Sequence, residues 1–182
     1  LTGGAGIDTI SGGAGNDTID AGAGVDTVTT GAGADHIDIE ASDAGVGTTT
    51  IDTITDYTAG EGGDSLDVYT TTNIGNATGT NVASAITGAA GTDTLTANVV
   101  NGMITLAGNA TAKIDTVAEI NSIFALLDTD NTTEIAAIEM SGDTYIMMDS
   151  TSNAVVDAVK LTGLTGITAL STTAASNTIT IE

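Results

Sequence analysis

The segment from Gly3 to Asp38 reads GGAGIDTIS (3–11), GGAGNDTID (12–20), AGAGVDTVT (21–29) and TGAGADHID (30–38), which are four nine-residue units without a gap. Each unit has glycine at its second and fourth positions, aspartate at its sixth and isoleucine or valine at its eighth. Glycine adopts positive φ freely and leaves carbonyl groups unobstructed, so the first six residues predict a sharp turn. The three residues that follow predict a very short strand with one inward aliphatic side chain.

Turns and strands that alternate in this way place equivalent residues one coil apart. Two units make one coil, so we expect Asp8 to lie over Asp26, and Asp17 over Asp35, at about the 4.8 Å spacing of neighbouring strands. Carboxylates stacked this closely repel each other unless a cation lies between them. Six to eight carboxylate and carbonyl oxygens, at roughly 2.3–2.6 Å, are the ligands that Ca²⁺ takes, whereas Mg²⁺ demands a stricter octahedron. The turns are therefore predicted to bind Ca²⁺.

The four units resemble the RTX (repeats-in-toxin) family, whose nonapeptide GGxGxDxUx builds a calcium-loaded parallel β-roll. The resemblance implies a mainly β fold, with a right-handed parallel β-roll at 1–68 followed at 69–182 by a β-rich C-terminal unit carrying one short α-helix. Units three and four begin with Ala21 and Thr30 instead of glycine. If that position requires positive φ, the last two turns are strained and their sites weaker. The predicted metal ligands are Gly4, Gly6, Asp8, Gly13, Gly15, Asp17, Gly22, Gly24, Asp26, Gly31, Gly33, Asp35 and Asp52.

The segment 51–68 resembles the stretch that closes the roll in RTX proteins such as the serralysin proteases, which reads roughly DxIxDFxxGxDxIDL. By this resemblance Asp52 helps to hold a terminal Ca²⁺, and Ile54, Tyr57 and Leu66 cover the open end of the coil. An ordinary amphipathic hairpin is the alternative interpretation. The matching residues are Asp52, Ile54, Asp56, Tyr57, Gly60, Asp64, Leu66 and Asp67.

The rest of the chain predicts mostly strands. Asn101-Gly102 predicts a two-residue hairpin turn, and 116–127 predicts a helix that covers a sheet or, alternatively, binds a partner. Met147 and Met148 are adjacent and must face opposite sides of a strand, so at most one of them is expected in the core. A loop or an irregular sheet edge is predicted at 69–81, and strands are predicted at 94–100, 103–106, 134–140, 144–148, 154–161 and 177–182.

Charge and composition exclude several classes of protein. The chain has 24 acidic residues against Lys113 and Lys160, a formal net charge of -22, so nucleic acid is not an expected partner. No run approaches 18 apolar residues, so the chain is not expected to span a membrane. With His36 as its single histidine, it offers neither HExxH nor a serine-type triad unless His36 serves alone. We expect His36 to be an exposed strand residue and the chain not to be an enzyme.

Two functions fit these features. The first is a calcium-dependent structural protein of the bacterial cell surface, similar to RTX-type surface-layer proteins, that folds and self-assembles as a homo-oligomer or lattice outside the cell. The alternative is a calcium-triggered folding and export tail of a larger secreted hydrolase or adhesin, since the chain opens in mid-repeat and is expected to begin inside a longer protein. The segment 142–170 resembles the C-terminal folding unit of type I secreted RTX proteins. The type I secretion machinery is thus an expected partner, its signal falling near 163–182, and a cell-surface glycan is a candidate partner.

Overall fold

The computed structural model describes residues 1–39, 51–68, 73–74, 77–81, 94–109, 119, 122–123, 134–150, 154–173 and 178–182. Within these residues the regular structure is mostly β-strand with almost no helix, as predicted. The strands are β1 (Thr2–Ala5), β2 (Thr9–Ala14), β3 (Thr18–Ala23), β4 (Thr27–Ala32), β5 (His36–Ile39), β6 (Asp52–Ile54), β7 (Ser65–Val68), β8 (Asn73–Ile74), β9 (Ala77–Asn81), β10 (Thr94–Val100), β11 (Met103–Asn109), β12 (Glu134–Met140), β13 (Asp143–Ser150), β14 (Ala154–Leu161), β15 (Leu170–Thr173) and β16 (Thr178–Ile181).

The repeats coil between two parallel sheets. Strands β1, β3, β5 and β7 pair in that order in one sheet, and β2, β4 and β6 pair in the other. Thr9 lies opposite Thr27 and Thr18 opposite His36, so one coil takes two nine-residue units. This register confirms the predicted parallel β-roll.

The interior of the roll is a column of aliphatic side chains, one from the eighth position of each unit. Ile19, Val28 and Ile37 are buried, and Ile10 in the first coil is half-buried. Burying a side chain of this size removes it from water at a gain of about 1.5–3 kcal/mol. With one such side chain per strand the core is thin, so the repeats depend on what holds their turns together.

Both sheets continue past the roll into the C-terminal strands. Strand β6 pairs with β14, and β7 pairs with β16, so the sheet orders are β1-β3-β5-β7-β16-β15 and β2-β4-β6-β14-β13-β12-β11-β10-β9, with β8 also pairing with β12. Ile54, Tyr57 and Leu66 are buried, as expected of them, but they share one core with Leu161 and Ile179. The last coil is therefore covered by further strands, and the division at residue 68 stays a prediction.

Most of the predicted C-terminal elements form. Asn101 (φ 50°) and Gly102 (φ 77°) make the two-residue turn between β10 and β11, and β12 and β14 have the predicted bounds. Of the two interpretations of 69–81, the loop is wrong where the segment is described, because β8 pairs with β12 and β9 with β10. The irregular edge fits β9, which ends its sheet and pairs with a register shift. Of the predicted helix, Glu119, Ser122 and Ile123 are helical, and its remaining residues lie outside those described.

The prediction that only one of Met147 and Met148 enters the core is wrong. Their side chains do face opposite sides of β13, but they are 1% and 0% exposed. Met147 pairs with Ala136 and Ala158, which are also buried, so both faces of the sheet are covered at this point. In the part of the chain that the structure describes, no helix has the length and apolar character needed to cross a membrane.

Candidate metal centre

The turns of the four repeats have the backbone conformation that the glycine spacing predicts. All eight glycines at the second and fourth positions adopt positive φ, from 82° at Gly22 to 157° at Gly24. Other residues rarely adopt this conformation because Cβ then crowds the backbone. The glycines therefore define the turn.

Successive turns stack so closely that no side chain fits between them. A Cβ atom on Gly22 or Gly24 would overlap the carbonyl group of Gly4 or Gly6 in the coil before it. Gly31 and Gly33 stand in the same relation to the carbonyl groups of the second unit's turn. Backbone oxygens of the turn glycines, which were predicted as ligands, thus line the space between successive turns.

The expectation that Ala21 and Thr30 strain the last two turns is wrong. Neither residue has positive φ, and neither does Gly3 or Gly12 at the same position of the earlier units. This position is extended backbone that any residue adopts. Glycine is needed there in the first two units for another reason, since a Cβ on Gly3 or Gly12 would overlap the carbonyl oxygen of Ala21 or Thr30 in the next coil.

The aspartates at the sixth position form two hydrogen-bonded ladders. The backbone N–H of Asp8 donates to Oδ1 of Asp26 at 2.7 Å, and that of Asp17 donates to Oδ1 of Asp35 at 2.8 Å. This stacking was predicted. Each ladder gains a third member beyond the repeats, because Asp26 donates to Oδ1 of Asp52 at 2.7 Å and Asp35 donates to Oδ1 of Asp64 at 2.9 Å.

The second carboxylate oxygen of each repeat aspartate lacks a hydrogen-bond donor. Oδ2 of Asp8, Asp17, Asp26 and Asp35 is buried and has no partner, although an unpaired buried charge is costly. A cation would offset this cost. Carboxylate and carbonyl oxygens are the donor set that Ca²⁺ prefers, so the residues present fit that ion. Among the described residues no three histidine, aspartate or glutamate side chains converge, so backbone carbonyls have to complete its coordination shell.

Three residues at this site were not among the predicted ligands. Asp64 ends one ladder; Asp56 accepts the N–H groups of Thr30 and Gly31 at 2.7 and 2.9 Å; and Oδ1 of Asn16 accepts the N–H of Ala34 at 3.1 Å. Asp64 lies 29 residues after Asp35 rather than 18. That break in spacing hides it from a periodic pattern, although it matches the closing motif.

His36 lies beside Ser65 and Asp67 on the outer face of the sheet. Its Nδ1 is 2.9 Å from Ser65 Oγ, and its Nε2 is 3.5 Å from an Asp67 carboxylate oxygen. These are the residue types of a hydrolytic triad, but such a site also needs free donors for an oxyanion. The amides of His36 and Ser65 already donate to the carbonyl groups of the preceding coil. The arrangement therefore carries no argument for hydrolysis.

Comparison with known proteins identifies the repeats. Residues 2–37 match the RTX calcium-binding nonapeptide repeat, in four copies. No curated protein matches the chain. The match covers the two complete coils whose aspartates carry the donor-less oxygens. The chain thus carries RTX calcium-binding nonapeptide repeats over residues 2–37, and calcium is its cofactor.

Proposed function

We propose that this chain belongs to a calcium-dependent structural protein of the bacterial cell surface, a surface-layer subunit that folds and self-assembles on binding calcium outside the cell. The observation that carries the proposal is the set of four buried Oδ2 atoms without donors, one in each repeat. A roll in this state is destabilised by its own carboxylates, and calcium removes that penalty. Its ligands would be the four repeat aspartates, the glycine carbonyls of the turns and Asp52.

Calcium would act as a folding switch. At the low free calcium of a cytosol, a chain of net charge -22 repels itself and stays open. Extracellular calcium modules work at roughly 10⁻⁴–10⁻³ M, a concentration that is met outside the cell. Asp52 in β6 and Asp64, directly before β7, each accept a hydrogen-bonded ladder from the repeats, and these two strands pair with β14 and β16. Ordering of the repeats would therefore align strands for the C-terminal sheets.

Self-assembly belongs to this proposal as a prediction. At a formal net charge of -22, copies of the chain repel one another, and calcium would bridge their carboxylates as well as fold each copy.

The alternative function is the folding and export tail of a larger secreted hydrolase or adhesin. Calcium-dependent ordering of the repeats and of the C-terminal strands paired with them would serve that function equally well, because a chain that folds outside the cell cannot easily return through an export channel. Type I secretion, with a signal near 163–182, and recognition of a cell-surface glycan belong to this proposal as predictions.

Circular dichroism and sedimentation velocity of the whole chain during a calcium titration would separate these functions, with magnesium as the control ion. A calcium-specific gain of β signal accompanied by growing assemblies supports the surface-layer function. A gain that stops at the monomer, even at high protein concentration, favours the export tail. If calcium and magnesium give the same response, the switch itself is refuted.

A further inference from the structure

Asp64 differs from the repeat aspartates in having donors for both of its carboxylate oxygens. The side chain is 1% exposed. Oδ1 accepts the N–H of Asp35 at 2.9 Å, and Oδ2 accepts the N–H of Thr58 at 2.9 Å and the hydroxyl of Thr30 at 3.2 Å. This carboxylate is therefore satisfied by the protein alone, whereas one oxygen of Asp35 is not.

One carboxylate thus contacts both ends of the fourth calcium turn. Thr30 is the first residue of that turn and Asp35 is the sixth. Asp56, from the same segment as Asp64, also bonds the start of this turn. Its carboxylate accepts the N–H groups of Thr30 and Gly31, and its Oδ1 lies 3.1 Å from the Thr30 hydroxyl oxygen. Every donor and acceptor in this set belongs to the protein, so these hydrogen bonds hold the turn without an ion. We call them the clamp.

The clamp also explains why the fourth unit starts with threonine. In the first two units this position faces the carbonyl oxygen of the next coil and only glycine fits. Thr30 faces the carboxylates of Asp56 and Asp64 instead, and they share the single proton that its hydroxyl can donate. Glycine in its place would leave Asp64 Oδ2 with the N–H of Thr58 as its remaining hydrogen-bond donor.

We propose that Asp64 is a positioning residue for the calcium turn 30–35, and that Thr30 occupies the first position of the turn because its hydroxyl bonds this carboxylate. The inference rests on the proposed function, in which Asp35 is a calcium ligand. A turn held in its binding conformation loses less conformational freedom when the ion binds, so its affinity is higher. Calcium binding would then start at the fourth unit and proceed toward the first.

The test uses the whole chain and three variants. Thr30→Val removes the hydroxyl and keeps the shape, Thr30→Ser restores the hydroxyl, and Thr105→Val is the matched control, since the Thr105 hydroxyl bonds a carbonyl in the distant β10–β11 hairpin. Loss of a hydrogen bond to a charged group shifts an equilibrium by at least about tenfold, which is at least about threefold in calcium midpoint if two ions bind in one step. We expect that threefold rise for Thr30→Val, with wild-type midpoints for the other two.

Hydrogen exchange in EGTA tests the clamp without calcium. The Asp35 amide should be more protected than the Asp17 amide in the wild type, and Thr30→Val should remove the difference. Equal protection of the two amides in the wild type, an unchanged midpoint in Thr30→Val, or failure of Thr30→Ser to restore it would each overturn the inference. A wild-type chain that shows this protection but no calcium response would refute the proposed function alone.

Discussion

Replacing Asp35 with asparagine should have opposite effects in the presence and absence of calcium. Asp35 Oδ1 accepts the N–H of Asp17 at 2.8 Å, and its Oδ2 is buried without a donor. Asn keeps the first acceptor, removes the charge and places an amide that can donate to the turn carbonyls. The structural hydrogen bond and the calcium ligand are thereby separated in a single substitution.

The expected change in the free energy of unfolding follows from the different surroundings of the two Asp35 carboxylate oxygens. Without calcium, the donor-less buried oxygen costs about 1–3 kcal/mol, which the variant recovers in part. With calcium at about one hundred times its dissociation constant, binding to one site stabilises the fold by about 2.7 kcal/mol, and the variant loses most of this. We therefore expect Asp35→Asn to have at least the wild-type β signal in EGTA and a free energy of unfolding lower by about 2 kcal/mol in saturating calcium.

Urea unfolding followed by circular dichroism, in EGTA and in saturating calcium, measures both effects. Asp20→Asn is the matched control, because Asp20 lies on a strand of the same repeats with its side chain half-buried, outside the turns, and should respond little to calcium. A stability of Asp35→Asn that differs from the wild type by the same amount in the two solutions, zero included, would show that the Asp35 charge plays no part in the calcium response, and the assignment of the ligands would fail.

Three further predictions concern the stacking of coils, the core and the C-terminal sheet. Gly24→Ala should destabilise the roll more than Gly6→Ala, since both glycines have positive φ but only a Cβ on Gly24 would meet backbone of the neighbouring coil; calcium midpoints of the two variants give the order. Burial raises the pKa of the Tyr57 phenol. The stability that the neutral phenol contributes is therefore present below the ordinary tyrosine pKa of about 10 and is lost as pH rises through the pKa of Tyr57 in the folded protein. Tyr57→Phe should remove this alkaline loss of stability from unfolding curves measured against pH. Partial burial raises the pKa of Asp143, but the hydrogen bonds from Lys160, 2.8 Å long, and from the Gly163 N–H, together with the Lys160 charge, lower it overall. Lys160→Met should therefore cost up to about 1 kcal/mol at neutral pH and progressively less as pH falls through the folded pKa of Asp143.

Each of these predictions has an outcome that contradicts it. Equal midpoints for the two glycine variants would mean that strain, not stacking, sets the cost. An alkaline unfolding transition that is the same in Tyr57→Phe as in the wild type would show that ionisation of Tyr57 does not cause the loss of stability. A Lys160→Met deficit that persists at low pH would show that the effect comes from another contact of the ammonium group, such as its position over the Tyr145 ring, rather than from the ion pair with Asp143.

The repeats could be interpreted from sequence because every constraint on them is local and periodic. Positive φ at two glycines, one inward aliphatic residue and one aspartate recur every nine residues, and the 18-residue coil follows from that period. The hairpin at Asn101-Gly102 was equally local, since two residues with positive φ are what such a turn requires. The coil and the turn were both predicted correctly because the residues that cause them are neighbours in the sequence.

The remaining features depend on contacts between distant parts of the chain. Asp64 becomes part of a ladder only because β7 aligns beside β5, a register that no spacing in the sequence states. Strands β8 (Asn-Ile) and β9 (Ala-Thr-Gly-Thr-Asn) lie in a segment rich in Thr, Asn and Gly that is typical of loops, and they pair with β12 and β10. Met147 is buried because the second face of its sheet is also covered. In each case tertiary pairing overrides the local preference.

The sixth residue of each unit combines two functions that other side chains would separate. Through Oδ1 it fixes the register of stacked coils, as the bonds from Asp8 to Asp26 and from Asp17 to Asp35 show. An amide oxygen can accept such a bond as well, since Asn16 accepts the N–H of Ala34 in the coil above it. Asparagine at the sixth position would therefore suffice for a roll that is always folded. Aspartate adds a buried charged oxygen without a hydrogen-bond donor, and under the proposed function this oxygen would make coil stacking depend on calcium.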